Sequence, residues 1–268
     1  MMKVVFPAAF SYRSEIVKDI RRGLCLGVAV LAILIPSATS ISVSPWAQVA
    51  VAHFADFSIG GGAGASPETR YIANWVADSR DNGGVGFVIV DKKFARVYIF
   101  DAMARLRSAS PVLLGSARGD DSVPGIGSRP IKEVRPEERT TPAGRFVAER
   151  GRNSLGEDVV WIDYDAAVSM HRVRTTNPEE RRLERLATPM IDDKRISYGC
   201  VNVPFAFYET YIRPLFSTQR AVVYVLPEFK AVQQVFRSYD VAAAHGLAPG
   251  QLMDAPCTGC LARLENRW

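Results

Sequence analysis

The chain has 268 residues, of which 48% are hydrophobic and 23% are charged, so its composition excludes a disordered or collagen-like protein. Residues 1–40 carry five basic and two acidic side chains, which places +3 of the formal net charge of +5 in that part of the chain. The remaining residues are only weakly basic and contain no Lys/Arg stripe with interleaved aromatic residues, which argues against a nucleic-acid-binding protein.

The first predicted element is an export signal. Arg21 and Arg22 precede an apolar run at residues 24–35, which is too short to span a bilayer but fits the core of a signal peptide. Small residues at 38–40 and 50–52 provide two candidate cleavage sites. A buried core helix or an uncleaved anchor would explain the same run. We therefore expect an exported protein of the periplasm or cell envelope, with membrane contact only through an uncleaved leader.

A helix is predicted after a glycine-rich linker at residues 58–66. Ser66 and Pro67 form an N-cap followed by proline at the first helical position. Ile72, Trp75 and Val76 follow at helical spacing, and the Asn-Gly-Gly sequence at 82–84 ends the helix.

Short strands are predicted over most of the remaining chain. Residues 91–93 are a plausible hairpin turn between the first two runs, and the strand-like runs lie at 86–90, 95–100, 112–116, 144–148, 159–162 and 220–226. The fold class is therefore mostly β, with short helical insertions. The predicted organisation is a signal peptide and early mature segment at 1–52, a linker and helix at 53–85, a β domain at 86–227 and a helical tail at 228–268.

Two helical segments accompany these strands. Residues 172–195 are strongly charged, with a helix from Asn177 to Leu186 that is acidic at its start and basic at its end, as the helix dipole favours. Its Leu183 and Leu186 form a narrow apolar edge. This segment is either a solvated surface helix or a lid over a neighbouring site. In the tail, Phe229, Val232, Val235 and Phe236 share one helical face.

Three cysteines follow the leader, which itself contains Cys25. Cys257 and Cys260 could form a local disulfide, remain as thiols, or form a redox or metal pair. Cys200 is the cysteine left unpaired by the first of these alternatives.

Cys200 is a candidate nucleophile. Gly199 allows a tight backbone turn before it, and Asn202 and Pro204 look like the start of a helix, with Asn202 as the cap. A helix N-terminus would favour a thiolate and supply amides for an oxyanion. Of the three histidines, only His171 lies inside the predicted β domain, so it is the best candidate base. A buried inert cysteine and an ordinary polar histidine are the alternative interpretation.

The segment from Ser197 to Asn202 (SYGCVN) resembles the cysteine motif of the YkuD-like L,D-transpeptidase catalytic domain. His171 matches the upstream histidine of that family, and Thr141 to Phe146 (TPAGRF) resembles its T-P-x-G-x-F segment. The resemblance covers roughly residues 86–227 and implies a sandwich-like, mostly-β domain.

The resemblance also implies chemistry. The Cys200 thiolate would attack a peptidoglycan stem peptide and form a thioester, which an amine on a second stem or on an acceptor protein would resolve. His171 would be the base, with its ring oriented by the backbone carbonyl of Arg172. The amides of Gly199 and Cys200 would stabilise the oxyanion. The motif loop would be shaped by Ser197 and Asn202, and no metal or organic cofactor is implied.

Two features depart from the family pattern. Tyr198 occupies a position where many members have histidine, so His171 would be the base alone. The interval from His171 to Ser197 is longer than usual and contains the charged helix. Hydrolysis of the same bond, as in an L,D-carboxypeptidase or amidase, and a non-catalytic cell-wall-binding module are the alternative functions.

Overall fold

The computed structural model describes residues 51–58 and 62–247. The apolar leader segment, the first cleavage site and the Cys257–Cys260 pair lie outside these ranges, and the second cleavage site, 50–52, lies only partly within them, so those predictions stay predictions. Within the two ranges, no helix has the length and apolar character needed to cross a membrane.

The described residues contain ten strands in two sheets. The larger sheet has eight strands in the order β3-β2-β1-β10-β5-β6-β7-β9, and the smaller one pairs β4 with β8. Their bounds are β1 Phe87–Asp91, β2 Arg96–Phe100, β3 Leu106–Pro111, β4 Leu114–Gly115, β5 Gly144–Arg152, β6 Asp158–Asp163, β7 Val168–Arg172, β8 Arg195–Ser197, β9 Val201–Val203 and β10 Ala221–Val225.

Strand β1 contributes to two hydrophobic cores because successive side chains point to opposite faces of a sheet. Phe87 and Ile89 belong to an outer cluster, which also contains Tyr98, Phe100, Tyr224 and residues of the first helix. Val88 and Val90 belong to an inner cluster. All five residues of β1 are buried: four are apolar, and the fifth, Asp91, accepts hydrogen bonds from the Ser66 and Thr69 hydroxyls.

The inner cluster joins the two halves of the large sheet. Ala148, Val160, Met170 and Val201 from β5, β6, β7 and β9 pack with the inner residues of β1. The chain at Leu113 then bonds to the last strand: its N–H donates to the Asn202 carbonyl at 2.9 Å and its carbonyl accepts from the Asn202 N–H at 2.8 Å. The sheet is therefore barrel-like around the inner cluster, and the predicted mostly-β fold with short helices is confirmed.

The predicted N-terminal helix is present as α1, Pro67–Ser79. The Ser66 side chain caps it by accepting a hydrogen bond from the Thr69 N–H. The helix ends at Arg80, whose backbone is left-handed. Ile72 and Val76 cover the outer face of the sheet.

The 172–195 segment is less regular than predicted. Asn177 caps a short 3-10 turn, Pro178–Glu180, and Arg181 is left-handed before α2, Arg182–Ala187, begins. Leu186 is buried but Leu183 is exposed, so the expected apolar edge is reduced to one leucine. The buried Lys194 ammonium donates to the carbonyls of Arg185, Leu186 and Thr188, which satisfies the end of α2.

The chain after Cys200 differs from the prediction. Strand β9 occupies residues 201–203, and the helix, α3, begins only at Phe205 with Pro204 as its N-cap residue. It comprises Phe205–Phe207, a π-helical turn Tyr208–Ile212 and Arg213–Leu215. The prediction that Asn202 caps a helix is wrong because its backbone pairs with Leu113 as part of a sheet. Cys200 therefore does not lie at a helix N-terminus.

The predicted helical tail forms two short helices, α4 Val232–Phe236 and α5 Val241–Ala244. Val232, Phe236 and Val241 pack into the outer cluster, whereas Phe229 is 74% exposed because it precedes α4. The carboxylate of Asp120 accepts hydrogen bonds from the backbone N–H groups of residues 228, 229 and 230. The start of this tail is thus bonded directly to the β domain.

Candidate active site around Cys200

Strands β7 and β9 place four polar side chains together. The strands are parallel neighbours with His171 opposite Asn202. Because side chains alternate along a strand, Ser169 and His171 point to the same side, as do Cys200 and Asn202. The intervening apolar residues Val168, Met170, Val201 and Val203 point into the inner cluster. The same pairing that builds the core therefore gathers the polar residues on its other face.

The His171 ring is oriented by the backbone. Its Nδ1 lies 2.7 Å from the carbonyl oxygen of Arg172. A carbonyl can only accept a hydrogen bond, so Nδ1 carries the proton and Nε2 of the neutral ring keeps its lone pair. Arg172 is itself fixed by Asp158 and Glu209 and lies over the Tyr208 ring. The role that the family resemblance implies for the Arg172 carbonyl stays a prediction.

The Cys200 thiol is free and partly exposed. Its Sγ lies 3.6 Å from Ser169 Oγ and 3.7 Å from the Ala167 carbonyl oxygen. Burial alone would raise the pKa of Cys200, but the neighbouring His171 and Ser169 hold the pKa below its ordinary value. The surroundings therefore favour the thiolate, which is the reactive form of cysteine.

The loop before Cys200 is held by hydrogen bonds within the motif. Ser197 Oγ donates to the Cys200 carbonyl at 2.7 Å and accepts from the Gly199 N–H at 3.1 Å. Gly199 has a φ of +126°, and a Cβ there would lie 2.7 Å from the Thr140 carbonyl oxygen. Only glycine fits this position without strain. Since its N–H is engaged with Ser197, the amide of Gly199 is not poised to bind an oxyanion.

Thr141 connects the TPAGRF segment to this loop. Its hydroxyl donates to the Gly199 carbonyl at 2.8 Å and accepts from the Gly115 N–H at 2.9 Å. The segment was noted in the sequence, but this contact was not predicted. Ser169 was also missed, although its position two residues before His171 in a strand-like stretch is a usable signal.

Two further motif residues take different positions. Tyr198 is 40% exposed, and its ring lies 4.0 Å from the guanidinium carbon of Arg139. Asn202 is fully buried, and its side chain reaches both Cys200 and His171. Tyr198 therefore borders solvent, whereas Asn202 belongs to the interior of the site.

Chemically, this arrangement combines a thiol of lowered pKa with an imidazole whose Nε2 is free of the Arg172 carbonyl and can exchange a proton, the combination used in nucleophilic catalysis. Within residues 51–58 and 62–247, no group of three or more His, Cys, Asp or Glu side chains is placed to hold a metal ion. A cavity of about 620 Å³ between α1 and α5 is lined by Phe54, Arg70, Asn74 and other residues, none of which belongs to the Cys200 site.

No family model and no curated protein sequence matches this chain. Among solved structures, it is similar to the helical cell shape determining protein Pgp2 from Campylobacter jejuni, with 15% identity over 65% of this chain and 59% of that one and a TM-score of 0.39. It is also similar to the catalytic domain of the L,D-transpeptidase from E. faecium, with 14% identity over 52% and 95% of the two chains and a TM-score of 0.29.

A third similar structure is an L,D-transpeptidase from Mycobacterium smegmatis, with 11% identity over 53% of this chain and 58% of that one and a TM-score of 0.31. This chain thus spans well under two thirds of the Campylobacter and Mycobacterium proteins. With TM-scores of 0.39 and below, these likenesses assign no activity. The functional assignment rests on the residues of the site.

Proposed function

We propose that the protein is a cysteine-dependent acyltransferase of the L,D-transpeptidase type that acts on peptidoglycan stem peptides. The observation that carries this proposal is the position of Cys200, directly before β9 and 3.6 Å from the Ser169 hydroxyl, on the face of the neighbouring strand β7 that also carries His171. The SYGCVN and TPAGRF segments, which carry the family resemblance, are joined by the Thr141–Gly199 hydrogen bond.

In the first half-reaction, His171 Nε2 accepts the thiol proton and Sγ attacks the carbonyl carbon on the L-centre of the third stem residue. The tetrahedral intermediate collapses, its C–N bond breaks, and His171 returns the proton to the departing amino group of the terminal D-residue. The product is a thioester on Cys200. Because the Gly199 N–H bonds to Ser197, we assign the main oxyanion contact to the Cys200 amide.

In the second half-reaction, an amine attacks the thioester carbonyl, His171 takes the proton of the attacking nitrogen, and the C–S bond breaks to restore the thiol. A second stem would give a 3–3 cross-link, and an amine-bearing protein would become attached to the wall. Water in place of the amine would make the enzyme an L,D-carboxypeptidase. Ser197, Gly199, Asn202 and Arg172 support these steps by fixing the loop and the ring.

Tyr198 is assigned a place at the rim of the cleft, since it is exposed beside Arg139. The substrate implies that the protein works in the periplasm or cell envelope, consistent with the predicted export signal. No nucleic acid, metal or organic cofactor takes part in the proposed reaction.

The test uses the full chain with reduced Cys200 and a tetrapeptide stem. We expect intact-mass spectrometry to detect an acyl adduct on the wild type and none on Cys200→Ala. Adding an amine acceptor separates transfer from hydrolysis through the products. A folded, reduced protein that forms no adduct would contradict the proposal, and intact wall binding by Cys200→Ala with no wild-type turnover would favour a binding module.

A further inference from the structure

The Asn202 side chain links the charged 172–195 segment to the cysteine–histidine pair. Its Oδ1 accepts a hydrogen bond from Arg182 Nη1 at 2.5 Å. Its Nδ2 donates to the Cys200 carbonyl at 3.2 Å and lies 3.4 Å from His171 Nε2. Arg182 is the first residue of α2. One buried amide therefore contacts the segment, the nucleophile's backbone and the proposed base.

Two of these contacts together set the orientation of the amide, and the one with Arg182 is the shorter and carries a charge. A guanidinium only donates hydrogen bonds, so the atom facing Arg182 must be the oxygen. A carbonyl only accepts them, so the atom facing the Cys200 carbonyl must be the nitrogen. A flipped amide would place N–H groups against the guanidinium and an oxygen against a carbonyl. Arg182 and the Cys200 carbonyl therefore both turn the NH2 group towards His171.

This orientation has a consequence for the imidazole. Nδ1 of His171 is engaged with the Arg172 carbonyl, so Nε2 is the atom that accepts the thiol proton. A neutral Nε2 can accept a hydrogen bond from the Asn202 NH2 group. Once Nε2 is protonated, two N–H groups face each other, which is unfavourable. The amide as oriented therefore favours the neutral ring over the protonated one.

We infer that Arg182 is a positioning residue that holds the Asn202 NH2 group against His171 Nε2, thereby favours the neutral ring over the protonated one, and so sets the pH at which the Cys200 thiol passes its proton to His171. The inference rests on the proposed function, because it concerns the proton that Cys200 and His171 exchange. It gives the 172–195 segment a role in the chemistry that its charge pattern did not reveal.

The pairing of charges around the site indicates that Arg182 affects His171 through the Asn202 amide and not through its own charge. Arg182 is largely buried and paired with Glu180. Glu157, which feels the charge of His171, is paired with Arg174. On β7, Arg172 is paired with Asp158 and Glu209. These charged groups are thus paired with one another, and Nε2 has a hydrogen-bonding contact with the Asn202 NH2 group at 3.4 Å.

The test measures the rate of Cys200 alkylation by iodoacetamide as a function of pH in the full chain. In Arg182→Met the amide can turn its oxygen towards a protonated Nε2, which stabilises the imidazolium–thiolate pair. We expect the midpoint of the profile to move to lower pH by about one unit. Arg182→Lys keeps a charged donor and should stay closer to the wild type.

Two controls separate positioning from loosening of the segment. Arg181→Met removes a neighbouring, exposed arginine that pairs with Glu184 and should leave the profile unchanged. Arg185→Met removes donors to the Glu180 and Asp193 carbonyls, and so weakens the segment without touching Asn202. A shift in Arg185→Met equal to that in Arg182→Met would overturn the inference.

Variants of Asn202 test whether the effect of Arg182 depends on the Asn202 amide. In an Asn202→Ala background, Arg182→Met should cause no further shift, because the amide that transmits the effect is gone. Asn202→Asp has the same shape but places an oxygen against Nε2, so we expect it to lower the midpoint of the alkylation profile. This variant keeps the inference testable even if Arg182→Met does not fold. An undiminished Arg182→Met shift in the Ala background, or an unchanged midpoint in Asn202→Asp, would each overturn the inference.

The outcome is separable from that of the proposed function because iodoacetamide needs no stem peptide. A shifted profile in a protein that forms no stem adduct would keep the positioning role and remove the transpeptidase proposal. Normal stem acylation with an unshifted Arg182→Met profile would do the opposite.

Discussion

Strands β1 and β7 belong to the same sheet but use their residues differently. All five residues of β1 are buried, and the four apolar side chains, at 87–90, are divided between the inner and outer clusters. In β7, Val168 and Met170 enter the inner cluster, whereas Ser169 and His171 face Cys200 and Asn202. Both faces of β1 thus pack into hydrophobic clusters, whereas β7 packs one face into the core and turns its other face, with every second residue, towards the polar site.

The first prediction concerns the polar face of β7. His171→Ala should lower the rate of Cys200 acylation by about 10²- to 10⁴-fold, because the thiol loses its base. The thermal unfolding midpoint should change little, since the side chain lies outside both clusters. Stem-peptide acylation followed by mass spectrometry measures the rate.

The matched control is His53→Ala, since His53 is largely exposed and contacts Asp78 instead of the site. Its acylation rate should equal that of the wild type. A normal rate in His171→Ala would mean that another group is the base.

The second prediction concerns the buried side chains of β1. Phe87 is fully buried, stacks on Phe100 at 4.7 Å and meets the Tyr224 ring edge-on. Phe87→Ala should therefore lower the free energy of unfolding by about 3–5 kcal/mol, as measured by denaturant titration. Acylation per folded molecule should be unchanged.

Phe94 provides the control for this change because 45% of it is exposed. Phe94→Ala should stay within about 0.5 kcal/mol of the wild type. Equal destabilisation by the two substitutions would contradict the two-sided burial of β1.

The third prediction concerns Thr141, whose hydroxyl links the β domain to the loop before Cys200. Thr141→Val keeps the shape of the side chain but leaves the Gly115 N–H and the Gly199 carbonyl unpaired. We expect a loss of about 1–3 kcal/mol in the free energy of unfolding, together with slower acylation, because Gly199 precedes the nucleophile. Thr141→Ser retains the hydroxyl and should recover most of both quantities.

The smallest predicted effect concerns Ser169. Hydrogen bonds from its backbone and hydroxyl help to keep the pKa of Cys200 below its ordinary value. Ser169→Ala removes only the hydroxyl and should raise the midpoint of the alkylation profile by about half a pH unit. Because the folded state lowers this pKa, the thiolate stabilises the fold at pH values above the unfolded pKa, and that stabilisation is lost as the pH falls through the folded pKa. In Ser169→Ala this contribution to the free energy of unfolding should decrease slightly.

Ser128→Ala is a suitable control for this experiment, since its exposed hydroxyl bonds to the Gly125 carbonyl. Its alkylation profile should be that of the wild type. A downward shift in Ser169→Ala would show that the hydroxyl does not stabilise the thiolate.

The regions with strong local signals were predictable from the sequence. Ser66 and Pro67 mark the start of α1, and the apolar runs of β1, β2 and β10 match observed strands to within a residue or two. Cys200 and His171 were singled out by residue type and by their resemblance to a family motif. The structure brings them to neighbouring strands, while their catalytic roles stay a prediction.

The regions set by long-range pairing were not predictable. Strand β3 (LRSASP) has little β propensity and exists because it pairs with β2. Strand β9 is only three residues long, and its Asn202 and the following Pro204 look locally like a helix start. The Arg182–Asn202 contact spans 20 residues in sequence and follows from a left-handed turn at Arg181 that no local pattern indicates.

The Asp120 carboxylate has a practical consequence for shortening the chain. Hydrogen bonds from residues 228–230 and from Lys92 outweigh the effect of burial and lower the pKa of Asp120 to about 2. A truncation after Pro227 would strip three donors from a buried anion and uncover the aromatic surface beneath α4. Expression of a minimal soluble fragment should therefore retain the residues through α5, and mild acid should not detach that segment.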